Sequence, residues 1–250
     1  MYDNELNDHI IFVQDENYDY SKVIDKLTKD GITSEADQRW LDYMISKGIV
    51  PAKKETLPYD AEIEYLESTG TQYIDTEVIS QANLVYDFYL EETQNNNQKS
   101  FFGFKESNTW NAVGMNDCNW GSSWFYIDFA GTETRLNDFY YPNRNGVYHF
   151  EFIAGNAKFL FNDTSKWTST KTDTYIGNRH VFIFWMDYYT ESTNRKGIGK
   201  IGYFKISKDG VLLFDGIPVR KDNIGYLYDR VSKQLFGNAG TGDFIVGPDK

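Results

Sequence analysis

From Leu84 onward the apolar residues of this chain recur at every second position, and that period constrains the fold more than any other feature. Leu84, Tyr86, Phe88 and Leu90 alternate with Val85, Asp87 and Tyr89; Phe102 and Phe104 alternate with Gly103 and Lys105; Phe125, Ile127 and Phe129 alternate with Tyr126 and Asp128. The pattern returns at Val147–Ile153, Lys158–Phe161, Val181–Asp187 and Ile201–Ile206. A period of two is that of a strand with one buried face. Aromatic residues make up 17% of the chain, which favours pleated, half-buried surfaces. Turn formers punctuate the runs at Gln94-Asn95-Asn96-Asn97, Asn143-Arg144-Asn145-Gly146, Gly155-Asn156, Asn162-Asp163 and Lys208-Asp209-Gly210. Asn145-Gly146, Gly155-Asn156 and Asp209-Gly210 read as tight turns between strands. About ten to thirteen short strands with no helical pattern among them predict a mainly β protein, an antiparallel jelly-roll sandwich.

The first 60 residues follow a different period. Tyr20, Val23, Ile24 and Leu27 lie on one face of a helix that Gly31 ends. Ser34 caps a second helix, Asp37 completes an imitation of a capping box, and Trp40, Leu41, Met44 and Ile45 form its apolar stripe before Gly48 and Pro51. This short α-helical hairpin is too small to bury both stripes alone, so it needs its own β domain, another copy or a larger assembly to pack on. The expected organisation is an acidic helical arm over 1–50, a linker over 51–60 and the sandwich over 61–250.

The formal net charge of −12 disfavours nucleic acid and anionic membranes as partners. Met1–Tyr20 contains no lysine or arginine, so the arm is expected to be solvated or to meet a basic partner. Cys118 is the sole cysteine, which leaves no intrachain disulfide and no cysteine-based zinc site. The N-terminal residues have neither the basic region nor the apolar run of a signal peptide, and no stretch is long and apolar enough for a membrane helix. Synthesis in a cytoplasm is the expectation.

Two motifs bracket the β region. It opens on Glu64-Tyr65-Leu66-Glu67-Ser68-Thr69-Gly70-Thr71-Gln72-Tyr73-Ile74-Asp75-Thr76. It closes on Gly199-Lys200-Ile201-Gly202-Tyr203-Phe204-Lys205-Ile206, Asp209-Gly210-Val211-Leu212, Ile217-Pro218-Val219-Arg220-Lys221-Asp222, Gly225-Tyr226-Leu227-Tyr228-Asp229 and Phe236-Gly237-Asn238-Ala239-Gly240-Thr241-Gly242-Asp243-Phe244. These segments resemble the two ends of a concanavalin A-like, laminin-G-like lectin sandwich found in structural proteins of gut bacteriophages and prophages and in surface proteins of gut bacteria. The resemblance covers about residues 60–250. It implies two stacked antiparallel sheets in a family that commonly binds glycans or serves as a virion appendage. Read physically, Gly70, Gly225, Gly237, Gly240 and Gly242 suit tight or positive-φ backbone. Tyr65, Tyr73, Tyr226 and Tyr228 suit a core with hydroxyls turned to backbone partners.

The segment from Trp110 to Trp124 has the composition of a glycan site. Trp110, Trp120 and Trp124 offer indole faces to sugar C–H surfaces, and Asn116, Asp117 and Asn119 offer partners to hydroxyls. The bland alternative makes the tryptophans core plugs and the polar residues turns. Trp185 with Asp187, Tyr188 and Tyr189 forms a weaker patch. Glu62, Glu64 and Glu67 alternate in a way that superficially resembles the carboxylate strand of laminarinase-like glycoside hydrolases, which share this fold. An exposed, charged edge strand explains them equally. His149, His180 and Cys118 could supply a nucleophile and a base, but no nucleophile-elbow motif supports a triad. No cofactor is expected. Asn116-Asp117 and Asp222-Asn223 could offer oxygens to Ca²⁺, although turn formation is the commoner use of such pairs.

The leading expectation is a non-enzymatic phage virion protein, a capsid decoration, head fibre or tail appendage. Its helical arm would dock to capsid or tail proteins, and its lectin-like head would meet a cell-surface or mucosal glycan. The alternatives are a carbohydrate-binding adhesion module of a gut bacterium and a glycoside hydrolase. Homo-oligomers suit fibres, but no heptad pattern specifies one.

Overall fold

A computed structural model describes residues 57–94, 99–105, 112–118, 124–129, 132–136, 139, 144–172, 176–188 and 196–250, together with Gln38, Arg39, Asp42, Tyr43 and Ser46. At 105, 112–118, 124, 176, 187 and 188 the description is confined to the backbone. Two compact units divide the chain, Met1–Thr56 and Leu57–Lys250. In the first, the five described residues are helical, with Gln38 Nε2 donating to Asp42 Oδ1 across one turn at 2.7 Å. The rest of the expected hairpin, including both apolar stripes, lies outside the described residues. No helix among them is long and apolar enough to cross a membrane.

The second unit is built of strands. In chain order these are β1 (Ala61–Glu62), β2 (Leu66–Thr69), β3 (Ile74–Gln81), β4 (Leu84–Glu91), β5 (Lys99–Lys105), β6 (Ala112–Cys118), β7 (Trp124–Phe129), β8 (Thr132–Leu136) and β9 (Gly146–Glu151). There follow β10 (Ala157–Phe161), β11 (Thr164–Ser169), β12 (Ile176–Ile183), β13 (Asp187–Tyr188), β14 (Ile198–Lys208), β15 (Val211–Lys221), β16 (Ile224–Asp229), β17 (Gln234–Phe236) and β18 (Ile245–Val246). The count exceeds the expected one because pieces such as β1, β13 and β18 are two residues long and carry no readable period.

Two sheets result. The larger runs β11-β10-β9-β4-β14-β15-β16-β17, with β2 on β14, β18 on β2 and β1 on β15. The smaller runs β3-β12-β5-β6-β7-β8. Pairing is antiparallel except for β13 on β5. Three two-residue hairpin turns, Asn162-Asp163, Asp209-Gly210 and Asp222-Asn223, hold both central residues at positive φ. That is the type I′ pattern, whose twist matches the flanking strands. Asn145-Gly146, expected as a tight turn, makes none. It enters β9 from the crossing between sheets, and Asn145 Oδ1 accepts from Glu92 N at 2.9 Å.

The core lies between the sheets and is aromatic. Leu84, Tyr86, Phe88 and Leu90 of β4, Phe102 and Phe104 of β5, and Phe125, Ile127 and Phe129 of β7 are all buried, as their period requires. Within the larger sheet Phe150 stacks on Phe159 at 4.2 Å; across the gap Phe102 meets Tyr86 at 4.8 Å and Phe88 at 5.2 Å. Each such pair adds about 0.5–1.5 kcal/mol beyond its buried area. The carboxylate run does not form one strand. Ile63 and Leu66 are both fully buried, and residues three apart cannot share a face of one strand. The chain therefore breaks between β1 and β2, Glu64 lies in a bend, and Glu62, Glu64 and Glu67 never line a common strand.

Candidate functional site

Alternation that buries one face of β4, β9 and β14 turns the other outward, and register assembles two rows there, the first of which ends on the buried Asp215 of β15. His149, Asp87, Lys205 and Asp215 stand side by side across β9, β4, β14 and β15. One step along, Val147, Tyr89 and Tyr203 are neighbours across β9, β4 and β14. A bulge between Ile201 and Tyr203 places Gly202 beside Tyr89, where a Cβ would come within 3.2 Å of the ring. A cleft of about 430 Å³ opens on this surface, lined by Asp87, Gly202, Tyr203, Lys205, Ile217, Arg230 and Lys250.

Its charges are held in place. Arg230 forks onto Asp215, Nε to Oδ2 at 3.0 Å and Nη2 to Oδ1 at 3.1 Å. The Asp215 hydrogen bond, resisted by partial burial, raises the Arg230 pKa. Asp87 Oδ1 lies 2.5 Å from His149 Nδ1, whose Nε2 lies 3.0 Å from Glu151 Oε1. The Asp87 hydrogen bond holds the His149 pKa above its ordinary value against the opposing effect of burial, with Glu151 adding to the rise. Burial pushes the Glu151 carboxyl up, but His149 and Lys158 outweigh it and keep it below its usual range. Burial, then Asp87 and Asp163, raise the Tyr203 phenol. At neutral pH the cleft thus presents an apolar ring face, a protonated phenol and fixed donors and acceptors. That set suits hydroxyl-rich ligands.

The smaller sheet holds what is described of the Trp-rich segment. Asn116 stands opposite Tyr126, Asp117 opposite Phe125 and Cys118 opposite Trp124 in the β6–β7 pairing. Asn116 and Asp117 thus lie within β6 and Trp124 opens β7. Trp110, Asn119 and Trp120 lie outside the described residues. Asp222 and Asn223 are the two central residues of the β15–β16 turn, with Asp222 N donating to Asp60 Oδ2 at 2.8 Å. Among the described residues no cluster of three or more His, Cys, Asp or Glu could hold a metal ion. His149 and His180 stand on different sheets, each against a carboxylate.

The end motifs bind each other. Ala239 N donates to Tyr73 O at 2.9 Å, Thr241 N to Thr71 O at 3.1 Å, Gln72 Nε2 to Asp243 O at 2.9 Å and Tyr73 N to Asn238 Oδ1 at 3.1 Å. Their glycines are the expected kind: Gly70 and Gly242 hold φ of 98° and 72°, and a Cβ on Gly240 would lie 2.1 Å from the Thr71 carbonyl oxygen. Of the motif tyrosines, Tyr228 is buried against Tyr59. Tyr73 differs: its partly exposed ring joins Phe182 and Trp185 on the smaller sheet, at 5.0 and 4.8 Å.

The cleft residues escaped the sequence reading because they come from five separate segments. Asp87, Tyr89, Tyr203 and Lys205 were visible only as the polar or outward phase of alternating strands. Cross-strand register, which brings them together, was not.

No protein-family model and no curated protein matches the chain. Solved structures do resemble it. A candidate carbohydrate binding protein from Bacteroides ovatus ATCC 8483 superposes with a TM-score of 0.52 at 11% identity, over 76% of this chain and 61% of that one. A heptameric SAP-like pentraxin from Limulus polyphemus gives 0.45 at 13% identity over 76% and 96%, and domains LG4-5 of mouse laminin α1 give 0.44 at 13% over 65% and 46%. The chain thus spans about three fifths of the length of the Bacteroides protein. That likeness shows the fold alone: the β unit is an antiparallel β-sandwich of the same architecture.

Proposed function

We propose that the β unit is a non-enzymatic, lectin-like carbohydrate-binding domain and that the cleft beside Tyr203 is its glycan site. The observation that carries this reading is the juxtaposition of Tyr203 with Asp87, Lys205 and Arg230 in the lining of one cleft, with Tyr89 beside Tyr203 in the sheet. Sugars present apolar C–H faces and hydroxyls at once, and this lining offers a partner to each. The name of the Bacteroides ovatus protein, which has the same fold, lends the same chemistry as support. A glycan array run on the parent, Tyr203→Ala and Trp120→Ala tests the assignment. Tyr203→Ala is expected to weaken the bound glycans at least ~10-fold, equivalent to about 1.4 kcal/mol. Retention of full binding in Tyr203→Ala with loss in Trp120→Ala would move the site to the Trp-rich segment of the smaller sheet. No glycan bound by the parent would end the lectin reading.

The resemblance of the end motifs extends the proposal to a place of action. In it the chain is a bacteriophage virion component, with residues 1–50 docking to capsid or tail proteins and the sandwich displayed outward. Co-purification with intact particles through a density gradient is expected. A soluble pool with no particle-bound fraction would overturn this placement and leave the cleft assignment standing.

A further inference from the structure

A second constellation lies on the smaller sheet, apart from the cleft. Lys196 Nζ sits 4.6 Å from the centroid of the Trp185 ring and 5.5 Å from that of Tyr73, while Phe182 stacks on Trp185 at 5.6 Å. Trp185 is partly exposed, yet its indole N–H is buried and finds no acceptor among the described residues. A buried donor left without a partner forfeits the hydrogen bond it made to water in the unfolded chain. Lys196 forms no ion pair with any described carboxylate, so its charge rests on ring faces.

The backbone holds these groups in place at a conformational cost. Phe184, directly before Trp185, is fully buried at φ 63°, a region a bulky side chain rarely occupies. Its N–H donates to Phe101 O at 2.6 Å and its carbonyl accepts from Gly197 N at 2.7 Å. The strained residue therefore ties the Trp185 segment to the one that carries Lys196. Strain of this kind clusters at ligand clamps. Ser68 Oγ donates to Gly197 O at 2.8 Å, so the clasp of the end motifs positions the same segment.

A second cation stands close by. Ser100 bridges Lys196, which brings Lys99 alongside, and burial followed by the Lys196 charge lowers the Lys99 pKa. Lys99 stands opposite Asp117 in the β5–β6 pairing, so the charge offered to an anion here is that of Lys196.

We propose that Lys196, Tyr73 and Trp185 form a second binding site, independent of the cleft, for a sugar bearing a carboxylate or sulfate. The Lys196 side chain swings off the rings to meet the anion, the sugar ring takes its place on Tyr73 and Trp185, and a ligand oxygen accepts from the indole N–H. The test follows the indole N–H resonances of the full chain by NMR, with the Trp185 peak assigned from Trp185→Phe. The probes are trigalacturonate, its methyl ester and a sulfated heparin-derived disaccharide. A saturable shift of the Trp185 peak by either anion, but not by the ester, is expected. Lys196→Met, checked for an unchanged thermal transition, should weaken that response at least ~10-fold. Tyr203→Ala should leave it within about twofold, well under the ~1.4 kcal/mol of a tenfold change. A Trp185 peak that moves with neither anion, moves equally with the ester, or moves equally in Lys196→Met overturns the proposal.

Discussion

His149 shows how a surface side chain acquires a property its residue type does not specify. The imidazole is clamped between Asp87 and Glu151, and the Asp87 hydrogen bond raises its pKa above the ordinary 6.5. A group whose pKa is higher folded than unfolded contributes stability that is fully present below the unfolded value and lost as pH rises through the folded one. Urea unfolding midpoints should therefore fall as pH is raised from the ordinary imidazole range through the elevated folded pKa. His149→Gln should flatten that part of the profile. An equal slope in parent and variant would show that another group carries it. From the sequence, His149 was readable as an outward strand residue, because it alternates with buried Tyr148 and Phe150. Glu151, two residues along the same strand face, lies within the same local pattern, but Asp87 does not, since it is 62 positions away.

Among the elements, the clasp made by the two end motifs decides most. The sequence pattern identified its glycines as structural but not what they avoid. Gly225 would drive a Cβ to 2.4 Å from Leu66 Cδ2, and Gly240 would place one 2.1 Å from backbone oxygen at Thr71. The first neighbour is the end of a side chain; the second is backbone and cannot yield without separating the motifs. Gly240→Ala is expected to destabilise the sandwich by about 1–3 kcal/mol, the range for overpacking. Chemical denaturation checks this, and an unchanged midpoint would show that the Gly240 loop is not fixed by Thr71. Turns were legible where chemistry acts locally. Asp209-Gly210 and Asn162-Asp163 carry the residue types that tolerate positive φ, and both adopt it. Asn145-Gly146 has the same local signal but leads between sheets, because the strands on either side of it have different partners.

At the scale of the whole molecule, the crossing into β9 is secured by a buried ion pair. Arg144 Nη2 meets Glu92 Oε2 at 2.8 Å with both side chains fully buried, the guanidinium lies 5.7 Å from the Phe125 ring centroid, and Tyr148 Oη donates to the Arg144 carbonyl. Removing one partner of such a pair strands the other in the core, at a cost of about 3–5 kcal/mol. The pair thus makes the route between sheets specific. No period or propensity announces it, since arginine and glutamate in a polar stretch read as solvated. By itself the sequence determined the mainly β class, the inward phase of β4, β5 and β7, the type I′ turns and the structural character of the end glycines. Each of these depends on residues within a few positions of one another. The tertiary structure alone decided the two rows of the cleft, the break between β1 and β2, and the meeting of Tyr73 with Trp185 and Lys196. Those depend on register and on which sheet a strand joins, and both are set by the competition of distant segments for one core rather than by local pattern.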